Sequence, residues 1–448
     1  MRRLLILLLL FVFSAPLFAV TLEAQTTRAE QLANEAAQHE LDSSPRDGNI
    51  PSYQLKPADL IKGQHLEHVR TVLHFGNAFW GIAQLLLLLS LGIIARFRDA
   101  VTTRFKSRWL QGYGFLFLFS LATSLLSLPV DLYGHWLSRS YGLSVQSWGS
   151  WAVDQLKEFA LGWLIGGLLL MLLFWIIRKA PQRWWLVFWF AMIPIILAGI
   201  FITPYVIDPL FNKFEPLTQT HPELVQRLEE VAKRGNMDIP PDRMFLMKAS
   251  AKTTTLNAYV TGFGASKRVV VWDNSITKGT PDEILFIFGH ESGHYVLHHI
   301  VRGLVMSIAG MFVLLYLGFV FVRWTIARYG TAWGIPSQSD WGALVVLLLA
   351  FSVMSILTEP IQSTLSRQIE HAADVYGMEA IHGIVADPQA TGRAAFQVLG
   401  DTSFDDPNPS QFLEFWTYNH PSIGRRAAFA AHYNPWAADM QPQYFPKQ

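Results

Sequence analysis

Residues 284–299 read ILFIFGHESGHYVLHH. An apolar run from Ile284 to Phe288 leads into His290 and His294, which stand four positions apart. That spacing is about one helical turn, so both imidazoles project from one face and can grip one ion. Glu291 sits beside them, placed to take a proton from a water held by that ion. Upstream, Pro281 opens the helix with Asp282 and Glu283 in its first turn, where the helix dipole favours acids. The apolar approach predicts that this helix packs into an interior. Two histidines on a solvated surface helix would share the spacing but not that approach.

A catalytic zinc needs a third protein ligand and one open position. A metzincin would place a histidine six residues after His294, preceded by a glycine; here those positions hold Ile300 and Leu297, which excludes that subclass. His298 and His299 fall at helical spacings that turn them off the ligand face, and they read as interfacial or structural. A better source of the third ligand is LSRQIEHAADVYG, Leu365–Gly377. Glu370 and Asp374 share a helical face there, which suits a carboxylate ligand backed by a carboxylate that orients a ligating histidine. Both also fit solvated surface acids, and His371 is a competing ligand that points about 100° away from Glu370 on a helix.

Composition sets the surroundings of this site. Of 448 residues 51% are hydrophobic and 15% charged, with 16 Trp and 31 Phe, and the mean hydropathy is positive. These values suit a membrane protein with aromatic interfacial belts better than a soluble globule. Six stretches lack charge over lengths that suit a span: Phe79–Ala95, Gly112–Val130, Phe159–Ile177, Trp184–Ile207, Gly303–Val322 and Trp341–Thr358. Soluble core helices would carry a polar face, and these do not. The net charge of +1 offers no concentrated basic field for a nucleic acid. With no cysteine, disulfides, thiolate ligands and a cysteine nucleophile are all excluded.

The expected organisation follows. Residues 1–20, with Arg2 and Arg3 before an apolar run, have the shape of a secretory signal, or of a retained first membrane helix. Residues 21–78 are polar and predict a solvated helix and a flexible loop around Pro45 to Pro51. Four spans over 79–207 precede a soluble peptidase part over 208–302. It holds an amphipathic helix Pro222–Arg234 closed by Gly235, and strands Leu256–Gly262 and Arg268–Trp272 around a Gly/Ser turn. Two spans over 303–358 lead to a C-terminal part, 359–448, that brings Glu370.

Four ordered motifs resemble one family: His290-Glu291-x-x-His294, S-R-x-x-E-x-x-A-D from Ser366 to Asp374, NAYVTGFG from Asn257, and NHPSIGRR from Asn419. The chain is similar in these to the integral-membrane gluzincins, which include the type I CAAX prenyl proteases and a bacterial heat-shock membrane protease. The likeness runs from about Phe79 to the end, and the connector DPLFNKFEPL (Asp208–Leu217) looks like the prenyl-protease branch. It implies a mainly α fold: a polytopic helical bundle carrying a gluzincin-type zinc peptidase domain with a small β-sheet. It implies one Zn²⁺ per chain on His290, His294 and Glu370, with Asp374 behind them. It places Asn257 and Ala258 on an edge strand that pairs with an extended peptide. His420 would hydrogen-bond a developing oxyanion, and Arg426 would make a substrate or structural contact. Two departures stand out: His371, where tyrosine is usual, and the signal-like start.

The implied activity is metalloendopeptidase action on extended proteins or peptides, with Glu291 as general base. Prenyl-protein processing and a catalytically inactive membrane scaffold are the alternatives. An intramembrane site-2-type protease would need its metal pattern inside a span, and here it precedes one. Basic residues cluster in the loop after Ala95 (Arg96, Arg98, Arg104, Lys106, Arg108) and at Arg178, Lys179 and Arg183. Positive loops favour the cytoplasm, which puts the peptidase part on the periplasmic side of a multi-pass protein in a bacterial inner membrane; the resemblance pulls the other way, because the better-known members of that family face the cytosol.

Overall fold

A computed structural model describes residues 26–262 and 266–446. The signal-like stretch 1–20 and most of the Gly/Ser turn lie outside the described residues. Six helices are long and apolar enough to cross a membrane: Pro57–Ser90, Arg108–Ser140, Trp148–Lys179, Trp184–Phe211, His299–Trp333 and Ala343–Ala380. Each contains or overlaps one charge-free stretch, and each runs well past it. Bundle packing joins Leu88, Phe115, Phe174, Trp184, Val345 and Val346 in one apolar cluster.

The first span differs most from its expected bounds. It starts at Pro57 and stops at Ser90, because Gly92 takes a left-handed φ of 67° and starts a separate helix, Ile93–Arg104. Gly has no Cβ to oppose that conformation. Ala95 therefore belongs to the next helix, and residues 57–78 to the spanning one. The last span differs too. Ala343–Ala380 is one 38-residue helix that runs through Pro360 and carries both Glu370 and Asp374. A membrane helix thus delivers these carboxylates directly.

The second core is the peptidase part. A sheet of order β1-β2-β4-β3 is built from β1 (Phe214–Pro216), β2 (Met244–Met247), β3 (Ala258–Thr261) and β4 (Arg268–Trp272). The two predicted strands are β3 and β4, antiparallel with Ala258 opposite Val271. β2 joins β4 in parallel and β1 joins β2 antiparallel. The helix Pro222–Arg234 occupies its expected place, capped at Gly235. The helix Pro281–Val296 is fixed at its start by a reciprocal cap: Glu283 N–H donates to Thr280 Oγ1, and Thr280 N–H to Glu283 Oε2 at 2.9 Å. Ile284 to Phe288 are all buried, as the apolar approach requires.

The segment expected to be solvated is folded into this core. Helix Arg28–Ser43 buries Ala29, Ala33, Ala37 and Leu41 against it. The loop that follows buries Ile50 and Tyr53 rather than moving freely, with the Tyr53 hydroxyl donating to the Asp405 carbonyl at 3.0 Å. The small alanine stripe supplies the contact face, and its polar neighbours conceal it from a composition reading.

Candidate metal centre

His290 and His294 leave one face of helix Pro281–Val296, and Glu370 meets them from helix Ala343–Ala380. The two helices can approach this closely because each offers a glycine. A Cβ on Gly377 would lie 2.8 Å from the His290 backbone nitrogen, and one on Gly289 only 3.2 Å from Gly377 Cα. Gly377→Ala should therefore push the helices apart and move Glu370 from the imidazoles. Metal titration of the purified variant should show a tenfold or greater loss of affinity, on the order of what a misplaced ligand support costs. Wild-type affinity in G377A would show that this contact does not position the ligands.

The ligating atoms converge. His290 Nε2 and His294 Nε2 are 3.2 Å apart, and they stand 3.2 and 3.4 Å from Glu370 Oε2. One ligand atom from each of the three residues lies within 4.8 Å of the other two. Glu370 Oε2 is buried and faces the Nε2 atoms of His290, His294 and His420 at 3.1–3.4 Å without a well-aligned hydrogen bond from any of them. A buried carboxylate oxygen so poorly satisfied is costly, and a cation among the atoms of His290, His294 and Glu370 would satisfy it. The protonation balance agrees. Burial opposes a charge on His290, yet Asp374 and Glu370 push its pKa up to about 9. The pocket demands positive charge, and the donor set of two imidazoles and one carboxylate suits zinc.

Asp374 holds the arrangement from behind. Its Oδ1 lies 2.8 Å from His290 Nδ1, which fixes the imidazole so that Nε2 presents its lone pair to the centre. Arg426 grips the same carboxylate with two bonds, Nη2 to Oδ1 at 2.7 Å and Nε to Oδ2 at 2.9 Å, while its guanidinium lies over the Phe396 ring. Its side chain is 11% exposed. Of the two contacts expected for Arg426, the structural one is visible here, with the guanidinium held by Asp374.

Glu291 lies beside the cluster and makes no ligand contact; burial raises its pKa, against the pull of both imidazoles. His420 faces Glu370 from the other side, Nε2 to Oε2 at 3.1 Å, with its Nδ1 2.8 Å from Asn419 Oδ1. It is 45% exposed, so it borders the open side of the centre. Asn257 is exposed just before β3, its carbonyl held by Trp272 N–H and Ser275 Oγ. β3 lies at the edge of the sheet, and Tyr295 ties its end to the metal helix by donating to the Gly262 carbonyl at 2.5 Å.

Two histidines need a separate account. His371 bonds Glu30 and Asn34 of the first helix, away from the cluster. His299 is closer to the centre than helical spacing suggests. The helix stops at Val296, and His298 turns left-handed at φ 59°. His299 then folds back, buried, with its Nδ1 3.4 Å from His294 Nδ1. No repeat or spacing signals that contact; a histidine pair at a helix end is the one visible hint.

Residues 52–213 match the family described as CAAX prenyl protease N-terminal, five membrane helices, and residues 218–434 match peptidase family M48. Within the first match lie four helices of spanning length and the 12-residue helix Ile93–Arg104. The chain is 35% identical over 384 residues to an uncharacterized metalloprotease, YhfN, of Bacillus subtilis, covering 85% of this chain and 87% of that protein. It is 29% identical over 334 residues to CAAX prenyl protease 1 of Saccharomyces cerevisiae, covering 70% and 71%. The crystal structure of S. mikatae Ste24p superposes with a TM-score of 0.74 at 23% identity, covering 94% of this chain and 98% of that one, and shows a shared fold.

Proposed function

This chain belongs to peptidase family M48, and from that premise we propose that it is a multi-pass membrane zinc endopeptidase acting on extended peptide segments. The observation that carries the reading is the convergence of one ligand atom each from His290, His294 and Glu370 within 4.8 Å of one another. Zinc bound there would polarise the scissile carbonyl and acidify the attacking water. The protein supplies the rest. Glu291 takes the proton of that water and delivers it to the leaving amine. His420, on the exposed rim, donates to the oxygen that gains charge as the carbonyl is attacked. The outer edge of β3, from Ala258 onward and with the exposed Asn257 just before it, pairs with the substrate backbone as an added strand. Asp374 and Arg426 keep His290 in register.

The test is direct. Purified chain should contain about one zinc, and chelation should abolish cleavage of an unfolded casein-type substrate until zinc is restored. A preparation without stoichiometric metal that still cleaves would refute the assignment. A prenylated substrate is a second reading, suggested by the yeast relative's name. Nothing in the metal centre selects for a prenyl group, so a prenylated peptide and its unmodified form should be compared.

The same fold supports a sidedness. Residues 26–56, the sheet and the C-terminal helices pack together at one end of the bundle, while the basic stretches Arg96–Arg108 and Arg178–Arg183 join spans at the other. The basic end belongs in the cytoplasm, which puts the metal centre outside it, on the periplasmic side of a bacterial inner membrane. A reporter fused after Gln448 should be active only outside the cytoplasm; cytoplasmic activity would reverse the orientation.

A further inference from the structure

The two faces of the sheet are used differently. Leu246, Val269 and Val271 point into the peptidase core. On the other face Phe214, Phe245, Tyr259 and Trp272 pack, half-buried, around Met247 and Val270. A sheet face turned to water is normally polar; an aromatic one suits the layer where bilayer meets water. The neighbouring helix end supports that depth. Helix Trp184–Ile202 continues into a π-helical turn, Thr203–Ile207, and presents Ile202, Tyr205, Val206 and Leu210 outward, all between 46% and 58% exposed.

Between this helix end and the aromatic face lies a recess of about 480 Å³, and two guanidiniums line it. Met244 pairs with Val269 in the parallel ladder of β2 and β4; Arg243 ends the tight turn just before β2 and Arg268 opens β4, and both line the recess. Arg268 is 7% exposed. Its Nη2 donates to Asp208 Oδ2 at 2.8 Å, but its Nε is buried with no acceptor. Among the described residues Asp208 is the one carboxylate ion-paired with either arginine. Asp242 also lines the recess and is exposed.

We infer that this recess binds the phosphodiester headgroup of a membrane phospholipid. A phosphodiester oxygen in the recess neutralises Arg243, with the Arg268 guanidinium behind it, held by Asp208 and by the Tyr205 and Phe214 rings, adding positive charge. The acyl chains run along the apolar surface of Ile202 to Leu210, which a free phosphate would leave bare. Asp242 adds a negative charge at the rim, so an amine-bearing headgroup such as ethanolamine fits better than glycerol. The site stands apart from the metal centre and does not depend on hydrolysis.

The test is lipid titration of the delipidated full-length chain in detergent, read by native mass spectrometry. Three probes are compared: dioleoylphosphatidylethanolamine, dioleoylphosphatidylglycerol, and the chainless headgroup glycerophosphoethanolamine. Arg243→Gln should hold the ethanolamine lipid about tenfold more weakly, the size of one lost charge-assisted hydrogen bond. Arg243→Lys should fall between the two. Arg323→Gln, at the far end of the bundle where Arg323 bonds Gln182, should behave as wild type. Asp242→Asn should shift preference toward the glycerol lipid, which keeps the inference testable if Arg243→Gln does not fold. Equal retention by wild type and the Arg243 and Asp242 variants would overturn the inference. So would chainless headgroup binding as tightly as whole lipid.

Discussion

Glu291→Gln should retain its zinc and lose turnover by about 10²- to 10⁴-fold, the usual weight of a positioned general base. Glutamine matches the shape of the side chain but cannot accept the proton. The proposed ligand atoms belong to His290, His294 and Glu370, none of which the substitution touches, so metal content and the thermal transition should stay at wild type. The loss should appear in kcat with KM little changed, because the missing interaction is made in the transition state. His420→Ala gives the comparison. It removes a donor from the rim, 3.1 Å from Glu370, and should cost roughly 10²- to 10³-fold in kcat, again with zinc retained. Normal peptide cleavage by the zinc-loaded Gln variant would remove Glu291 from the mechanism. Loss of zinc from it would mean the residue has a ligand role that the geometry does not give it.

How much of this is legible in the sequence depends on how local the determinant is. The spans are readable because hydrocarbon excludes charge along the whole of a helix. The His290–His294 pair is readable because it needs one helix and nothing else. Glu370 is different: spacing brings it to one face with Asp374, but nothing local says that this face meets His290. The signal of that meeting lies in Gly289 and Gly377, two helix-interior glycines that cost helix stability and are explained by backbone contact between distant segments. His299 escapes because its position depends on a helix ending at Val296. The first helix escapes because Ala29, Ala33 and Ala37 bury a narrow face within a polar sequence. The loss of Arg426 to Asp374 is of the same kind, since NHPSIGRR contains two adjacent arginines and only the fold decides which one turns inward.

The Asp374–Arg426 pair should separate fold stability from metal binding. Asp374 is 1% exposed and accepts from Arg426 twice and from His290 once. Asp374→Ala leaves the Arg426 guanidinium without a counter-charge in a buried site, a change that typically costs about 3–5 kcal/mol. For a domain of this size that is a fall in thermal transition of roughly 10 °C. It also leaves His290 Nδ1 without its acceptor, which should weaken zinc by about 10- to 100-fold beyond any effect of unfolding. The double change Asp374→Leu with Arg426→Leu removes both charges together. An apolar pair of similar volume is often tolerated where one lone charge is not, so most of the lost thermal stability should return. Zinc affinity should not return, because the imidazole is still unheld. Thermal transitions and competitive zinc titration on wild type, Asp374→Leu, Arg426→Leu and the double variant complete the cycle. A transition unchanged by Asp374→Ala would show that the pair does not stabilise the fold. Wild-type zinc affinity in the double variant would show that His290 keeps its orientation without a carboxylate, and the support assigned to Asp374 would then be packing alone.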